Sequence, residues 1–293
     1  MKRWYRDTGL QARMFLTMFL LAAVYLAFII FLATTGVGTI GIVVVAGLFI
    51  FIQYFYSDKL VLWSMGGKIV SESQEPELHT IISRLCQIAD LPKPRIAVVE
   101  SKVPNAFATG RSKKNAVVAV TTGLMHQLNR GELEAVIAHE LSHVKNRDVL
   151  VITIASFIST IAFFLARNLM FFGMMGRGRR DSGGLMAVWI VSILVWLISF
   201  LLIRALSRYR EFSADRGSAA ITGQPAQLAS ALMKISGAMK RVPTDDLRKV
   251  EGMNAFFIIP AVSGSSLMKL FSTHPQIEQR IAKLEEMQQK MEF

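Results

Sequence analysis

Cys86 is the only cysteine in 293 residues. That excludes an intramolecular disulfide and any all-cysteine metal site, and it suits a reducing compartment in which the thiol is a small core residue. Histidine is scarce too, at five copies, so any two at ligand spacing stand out. Charge is missing from long stretches: the runs Met14 to Thr34 and Thr39 to Tyr56 carry none, and neither does the connector Thr35 to Gly41. No small-residue cleavage site separates the first run from the second, so the first reads as retained. No aromatic-plus-basic module, repeat or low-complexity tract is present, which argues against a nucleic-acid partner.

What is abundant is apolar. Hydrophobic residues make up 52% of the chain, too many for an ordinary soluble protein. Two further runs, Leu150 to Phe172 and Leu185 to Leu206, join the first two, and all four approach the ~20 residues needed to cross a ~30 Å hydrocarbon layer. Lys2, Arg3, Arg6 and Arg13 precede the first run, so the N-terminus is expected to be cytoplasmic. An out-and-back pair then returns Ser57 to Asp148 to the same side, in a multi-pass protein of the cell membrane with a cytoplasmic C-terminus. The loop between the last two runs carries Arg177, Arg179 and Arg180, against the positive-inside tendency, so that pair is either a spanning hairpin or is partly buried against the remaining chain. Much of the +12 net charge flanks the runs, including Lys145, Arg147, Arg204, Arg208 and Arg210, and is expected to meet anionic membrane lipid.

One stretch dictates chemistry. In Ala138-His139-Glu140-Leu141-Ser142-His143 the two histidines stand at i and i+4, on one face of a helix, where both imidazoles can reach one ion. Glu140 lies beside the first, placed to take a proton from a metal-activated water. The preceding Gly131 to Ala138 sets apolar residues on one face and acids on another, as in an amphipathic helix. A catalytic zinc keeps three protein ligands and an open position. The best third ligand is Glu211, which follows the fourth run as His143 precedes the third, so a hairpin would bring them to one membrane face. Its plainer reading is an exposed acid paired with Arg208 or Arg210. Asp215, one turn on from Glu211, would orient a ligand histidine or pin the helix. His79 and His126 fall in no ligand spacing.

Around this helix the chain predicts a helix over Glu75 to Asp90 with Pro76 near its start. Strands follow at Arg95 to Val99 and Ala116 to Val120, with a candidate edge strand at Asn105 to Gly110 to which an extended peptide could add. Helices are expected over Ala226 to Met239 and Gln276 to Met291, while Met253 to Leu270 has no assignment. The expected architecture is a mainly α multi-pass membrane protein with a small α+β zincin-like catalytic domain. Its parts would be 1–56 (N-terminal transmembrane hairpin), 57–149 (first catalytic part), 150–206 (second hydrophobic hairpin) and 207–293 (second catalytic part).

Four segments in this order, Asn105 to Gly110, Ala135 to His143, Arg208 to Asp215, and Thr273-His274-Pro275 followed by Arg280, make the chain resemble the HtpX family of membrane zinc proteases, relatives of the type I CAAX prenyl protease. The resemblance covers nearly the whole chain. It implies one zinc per chain on His139, His143 and Glu211, Glu140 as general base, and Asn105 on the strand that holds the substrate backbone. It also implies that His274, with Arg280, lies over the active site and donates to the oxygen of the tetrahedral intermediate; read alone, His274 is a helix-start histidine packed beneath Pro275. The expected substrates are misfolded or membrane proteins, cleaved in proteolytic quality control under stress. The alternative is a non-proteolytic zinc-binding membrane scaffold, although a structural site would normally close the fourth position with another Cys or His. A carrier would hold ionisable groups within its spans, which these runs almost lack.

Overall fold

The computed structural model of the chain describes residues 8–34, 39–175, 182–239, 241 and 274–292. They divide into two compact units, one built from Tyr56–Leu150 and Ser207–Phe293, the other from Asp7–Phe55 and Val151–Leu206. The segment Met253 to Leu270, the basic residues Lys2, Arg3, Arg6, Arg177, Arg179 and Arg180, and Thr273 lie outside the described residues.

In the first unit a four-stranded sheet runs β1 (Gly67–Ile69), β2 (Arg95–Val99), β4 (Val117–Thr121), β3 (Ala106–Thr109). β2 and β4 are parallel; the two outer pairings are antiparallel. All of β4 is buried. Val118 and Val120 face one cluster, and Val117 and Ala119 face another that includes Val61, Leu62 and Phe107. Burial on both faces is why β4 reads as an unbroken apolar run rather than an alternating one. The second expected strand therefore starts one residue later than its apolar stretch, and the short β1 was not foreseen. β3 stands at the sheet edge, as its sequence predicted.

The first cluster is closed by helices. α3 (Pro76–Ala89) buries Leu78, Ile81, Ile82 and Leu85, the spacing of one helical face, and stops at Asp90, whose φ of 52° is left-handed. Each such aliphatic side chain contributes roughly 1.5–3 kcal/mol. α4 (Thr122–Gln127) leads to α5 (Arg130–Asn146), which is started by a capping box between Asn129 and Glu132 and ended at Arg147, with φ 56°. α5 is buried nearly all round rather than amphipathic: Glu132, expected on a polar face, is enclosed. It accepts from Ser230 at 2.7 Å and lies 2.7 Å from Lys234 Nζ, both on α8 (Pro225–Met239). α9 (Ile277–Glu292) packs on α8. Lys145, expected at the lipid surface, instead donates to the Ala89 carbonyl at 2.8 Å, where α3 ends.

The second unit is made of long apolar helices. α1 (Thr8–Thr34) meets α6 (Asp148–Met175) and α7 (Ser182–Thr222) through Phe28, Leu32, Ile161, Leu165, Val188 and Val195. The Tyr25 hydroxyl donates to the Ala155 carbonyl, the kind of interhelical bond that a membrane interior favours. Phe15, Phe19, Leu26, Ile30 and Leu194 face outward, more apolar surface than water tolerates. Among the described residues Thr8–Thr34, Asp148–Arg167 and Met186–Thr222 are long and apolar enough to span a membrane. The second apolar run forms α2 (Thr39–Ser64), which continues past Tyr56 because Val61 and Leu62 pack on the sheet. α7 likewise does not stop with its apolar run at Leu206, so Glu211 and Asp215 ride on that same helix.

Candidate metal centre

The donors come from α5 and from the part of α7 beyond Leu206, both in the first unit. On α5 the i, i+4 spacing brings the rings of His139 and His143 to a 4.7 Å centroid separation, edge to face. Glu211 faces them from α7. Close packing fixes the pairing, because the Ser218 hydroxyl donates to the Ala135 carbonyl at 2.7 Å, one turn from His139 and from Asp215 on their respective helices. Three donor pairs result: His139 Nε2 to His143 Nε2 is 3.1 Å, His143 Nε2 to Glu211 Oε1 is 3.4 Å, and His139 Nε2 to Glu211 Oε2 is 3.5 Å.

Those separations test whether a metal fits. Tetrahedral ligands at ~2.0–2.1 Å from an ion lie about 3.3 Å apart, and the three pairs straddle that value. The far side of each ring agrees. His139 Nδ1 is 3.0 Å from Asp215 Oδ1, and His143 Nδ1 is 2.6 Å from Asp148 Oδ2. Ionised carboxylates only accept, so both rings carry their proton on Nδ1 and aim an Nε2 lone pair at one point. Charge closes the argument. Glu140, Asp148, Glu211 and Asp215, set against Arg210 and Arg280, leave two negative charges for a divalent ion. Burial opposes protonation of His139, but Asp215 and Glu211 outweigh it and lift its pKa to about 9, so a metal-free site would hold a proton instead.

A second tier fixes these carboxylates. Arg280, fully enclosed, grips Asp215 through Nε at 2.9 Å and Nη2 at 2.6 Å, while its Nη1 is 3.4 Å from Glu211 Oε2. Asp148 has a guanidinium partner of its own: Arg210 Nε is 2.9 Å from Asp148 Oδ1. His274 Nδ1 is 3.3 Å from Glu211 Oε2. Thus His139, His143, Glu140, Glu211, Asp215, His274 and Arg280 all converge. Glu211 is buried rather than the exposed acid of its plainer reading, and Arg210 turns to Asp148. Asp148 is the member that sequence reasoning missed. The available signal was a carboxylate five residues after His143, just past the helix end. His79 is elsewhere, with Nε2 3.1 Å from the Val70 carbonyl, and His126 sits on α4, outside the centre.

Glu140 is buried, and that burial raises its pKa against the pull of His143 and His139. The backbone of Ala108 on β3 works weakly in the other direction, favouring the charged form. Phe107 and Thr109 face Ala119 and Val117, while Asn105 gives its N–H to Thr121 Oγ1 and takes Thr121 N–H on its carbonyl. By ladder alternation the peptide groups of Ala106 and Ala108, not of Asn105, point off the outer edge. The arrangement joins a divalent-ion site, a buried carboxylate and the edge strand of a sheet.

Residues 72–288 match the family described as Peptidase family M48. The chain is 69% identical over 291 residues to "Protease HtpX homolog 2" of Methanosarcina mazei, covering 99% of each. It is 58% identical over 289 residues to "Protease HtpX homolog" of Moorella thermoacetica, covering 98% of this chain and 97% of that one. The crystal structure of S. mikatae Ste24p shares the fold, with a TM-score of 0.57 at 16% identity over 95% of this chain and 67% of the other.

Proposed function

The chain belongs to peptidase family M48 as an HtpX-type membrane metalloprotease, and we propose that its metal is one zinc per chain, held by His139, His143 and Glu211. The observation that carries this reading is the clustering of those three donors within 4.8 Å of one another, each histidine backed by an aspartate. Two imidazoles and a carboxylate are a common catalytic zinc set. A bound zinc supplies an acidified water and a polarised carbonyl.

The side chains do the rest. A substrate adds as a strand along β3, its backbone meeting the outward peptide groups of Ala106 and Ala108, with Asn105 anchoring the strand start on β4. Glu140 takes the proton from the attacking water and returns it to the leaving amine; burial, which raises its pKa, suits it to both transfers. His274 donates to the developing oxyanion. Asp215 and Arg280 hold His139 and Glu211 in place, and Asp148 does the same for His143. We place the N-terminus, the active site and the C-terminus on the cytoplasmic side of the cell membrane, with membrane lipid around the apolar helices and residues 57–149 and 207–293 as the catalytic portion. The substrates proposed are misfolded or membrane proteins, in quality control under stress; main-chain recognition at a strand edge supports this, since it reads no particular sequence.

The test compares the detergent-solubilised full chain with its Glu140→Gln variant for bound metal and for casein cleavage, with zinc and with a chelator. Stoichiometric zinc in both and cleavage only by the wild type is the expected result. Zinc in both with no cleavage by either, across several unfolded and membrane substrates, would favour the zinc-binding scaffold.

A further inference from the structure

β4 runs straight into α4, so Thr121 is at once the last residue of the strand and the residue that caps the helix. A residue in that position gives its carbonyl to the first turn of the helix, which turns it away from the neighbouring strand. The hydroxyl takes its place. Thr121 Oγ1 accepts the Asn105 N–H at 2.8 Å and the Leu124 N–H at 3.2 Å, and it donates to the Asn105 carbonyl at 3.0 Å. The Thr121 N–H reaches that same carbonyl at 2.9 Å. One donated and two accepted bonds are the full capacity of a hydroxyl. Asn105 is fully enclosed and Thr121 has 1% exposure, so water cannot stand in for the lost partner if the hydroxyl goes.

The other end of the loop that enters β3 is held by the same device. Thr122 Oγ1 accepts the Ser101 N–H and donates to the Ser101 carbonyl, both at 3.2 Å, and the Gly123 N–H donates to that carbonyl at 2.8 Å. A Cβ on Gly123 would stand 2.5 Å from the Lys102 carbonyl oxygen, so the loop lies this close only over glycine. Thr121, Thr122 and Gly123 thus hold both ends of the stretch from Ser101 to Asn105.

That stretch delivers β3, which among the described residues pairs with β4 alone. By ladder alternation its inward bonds fall at Asn105, Phe107 and Thr109, and the first of these is the one completed by a side chain. Further along the same short strand, the Ala108 backbone favours the charged form of Glu140. Where β3 starts therefore decides how its edge stands against the chemistry. We propose that Thr121 is a positioning residue for the substrate-binding strand, acting through Asn105 rather than by touching ion or substrate. The proposal rests on the reading of β3 as the strand that holds the substrate.

The zinc-loaded full chain in detergent is compared with Thr121→Val, which keeps the shape but removes the hydroxyl, and with Thr121→Ser, which keeps the hydroxyl. On an internally quenched peptide that the wild type cleaves, Thr121→Val should raise KM about tenfold and change kcat less than about twofold. Main-chain bonds to a strand are made in ground state and transition state alike, so their loss falls on KM. Amide exchange over 105–109, read by mass spectrometry, should quicken about tenfold while bound metal holds. Thr121→Ser should keep KM and exchange at wild-type values. If Thr121→Val does not fold, Thr121→Cys, with its weak donor and acceptor, takes its place and should raise KM about threefold. KM and exchange both unmoved, or KM raised equally by Thr121→Ser, overturns the role of the hydroxyl. Loss of metal along with KM overturns it as well, because the effect then runs through the metal centre and not the strand. Faster exchange with KM unmoved overturns the placement of substrate on β3, and the proposal with it. Failure of the wild type to cleave any peptide overturns the protease reading itself.

Discussion

Two glutamates on α5 are buried almost equally, Glu132 at its first turn with 1% exposure and Glu140 at its centre with 5%, yet their environments push them in opposite directions. Burial raises both, but at Glu132 Lys234, Ser230 and the Asn129 backbone win and lower its pKa, whereas at Glu140 burial prevails. One helix thus carries a carboxylate that holds elements together and another kept ready to exchange a proton. Though both are covered, Glu132 lies nearer the surface with a lysine and a hydroxyl on its oxygens, Glu140 lies deeper without them, and that separates the two roles.

The largest effect should come from Glu140→Gln, which lowers kcat/KM about 10³-fold while metal content holds, read by casein turnover and metal analysis. The thermal midpoint of the metal-free chain should stay or rise, because a neutral amide replaces a charge that burial disfavours. Asp215→Asn comes next. It should weaken metal binding roughly 10- to 100-fold in a competitive chelator titration, and it also costs about 3 kcal/mol of stability by leaving Arg280 enclosed beside a neutral partner. Asp148→Asn should weaken metal binding toward the lower end of that range, since the side chains of His143 and Arg210 keep 15% and 10% exposure and water can substitute. Smallest is Glu132→Gln, expected to cost about 1–2 kcal/mol with activity per folded molecule unchanged.

The last variant also has a pH signature. The folded-state pKa of Glu132 lies below its ordinary 4.5, so its stabilisation is complete above that value and is lost as pH falls through the lowered pKa. The difference in thermal midpoint between wild type and Glu132→Gln should therefore be full at neutral pH and shrink as pH falls below 4.5 and through the lowered pKa. A difference that persists in acid would mean the hydrogen bonds, rather than the charge, hold α5 to α8.

Local signals were enough for the elements that stand alone. α3 was legible from its one buried face, β2 as a short β-branched run, and the apolar runs from their length. β1 was not: three residues give no period, and Gly67–Ile69 is a strand only because β2 pairs with it. Glu132 was misread as solvated because its partners are α8 residues far along the chain.

The same division runs through the metal centre. His139 with His143, and Glu211 with Asp215, are i, i+4 pairs, so helix geometry alone sets each pair on one face and the sequence by itself determined them. That these two faces meet, that the second helix is the continuation of an apolar run, and that Asp148 turns back past a left-handed Arg147 to reach His143 were decided only by tertiary structure. Local spacing is fixed by backbone geometry every 3.6 residues, whereas contacts between helices depend on how their buried side chains pack, and no local repeat records that.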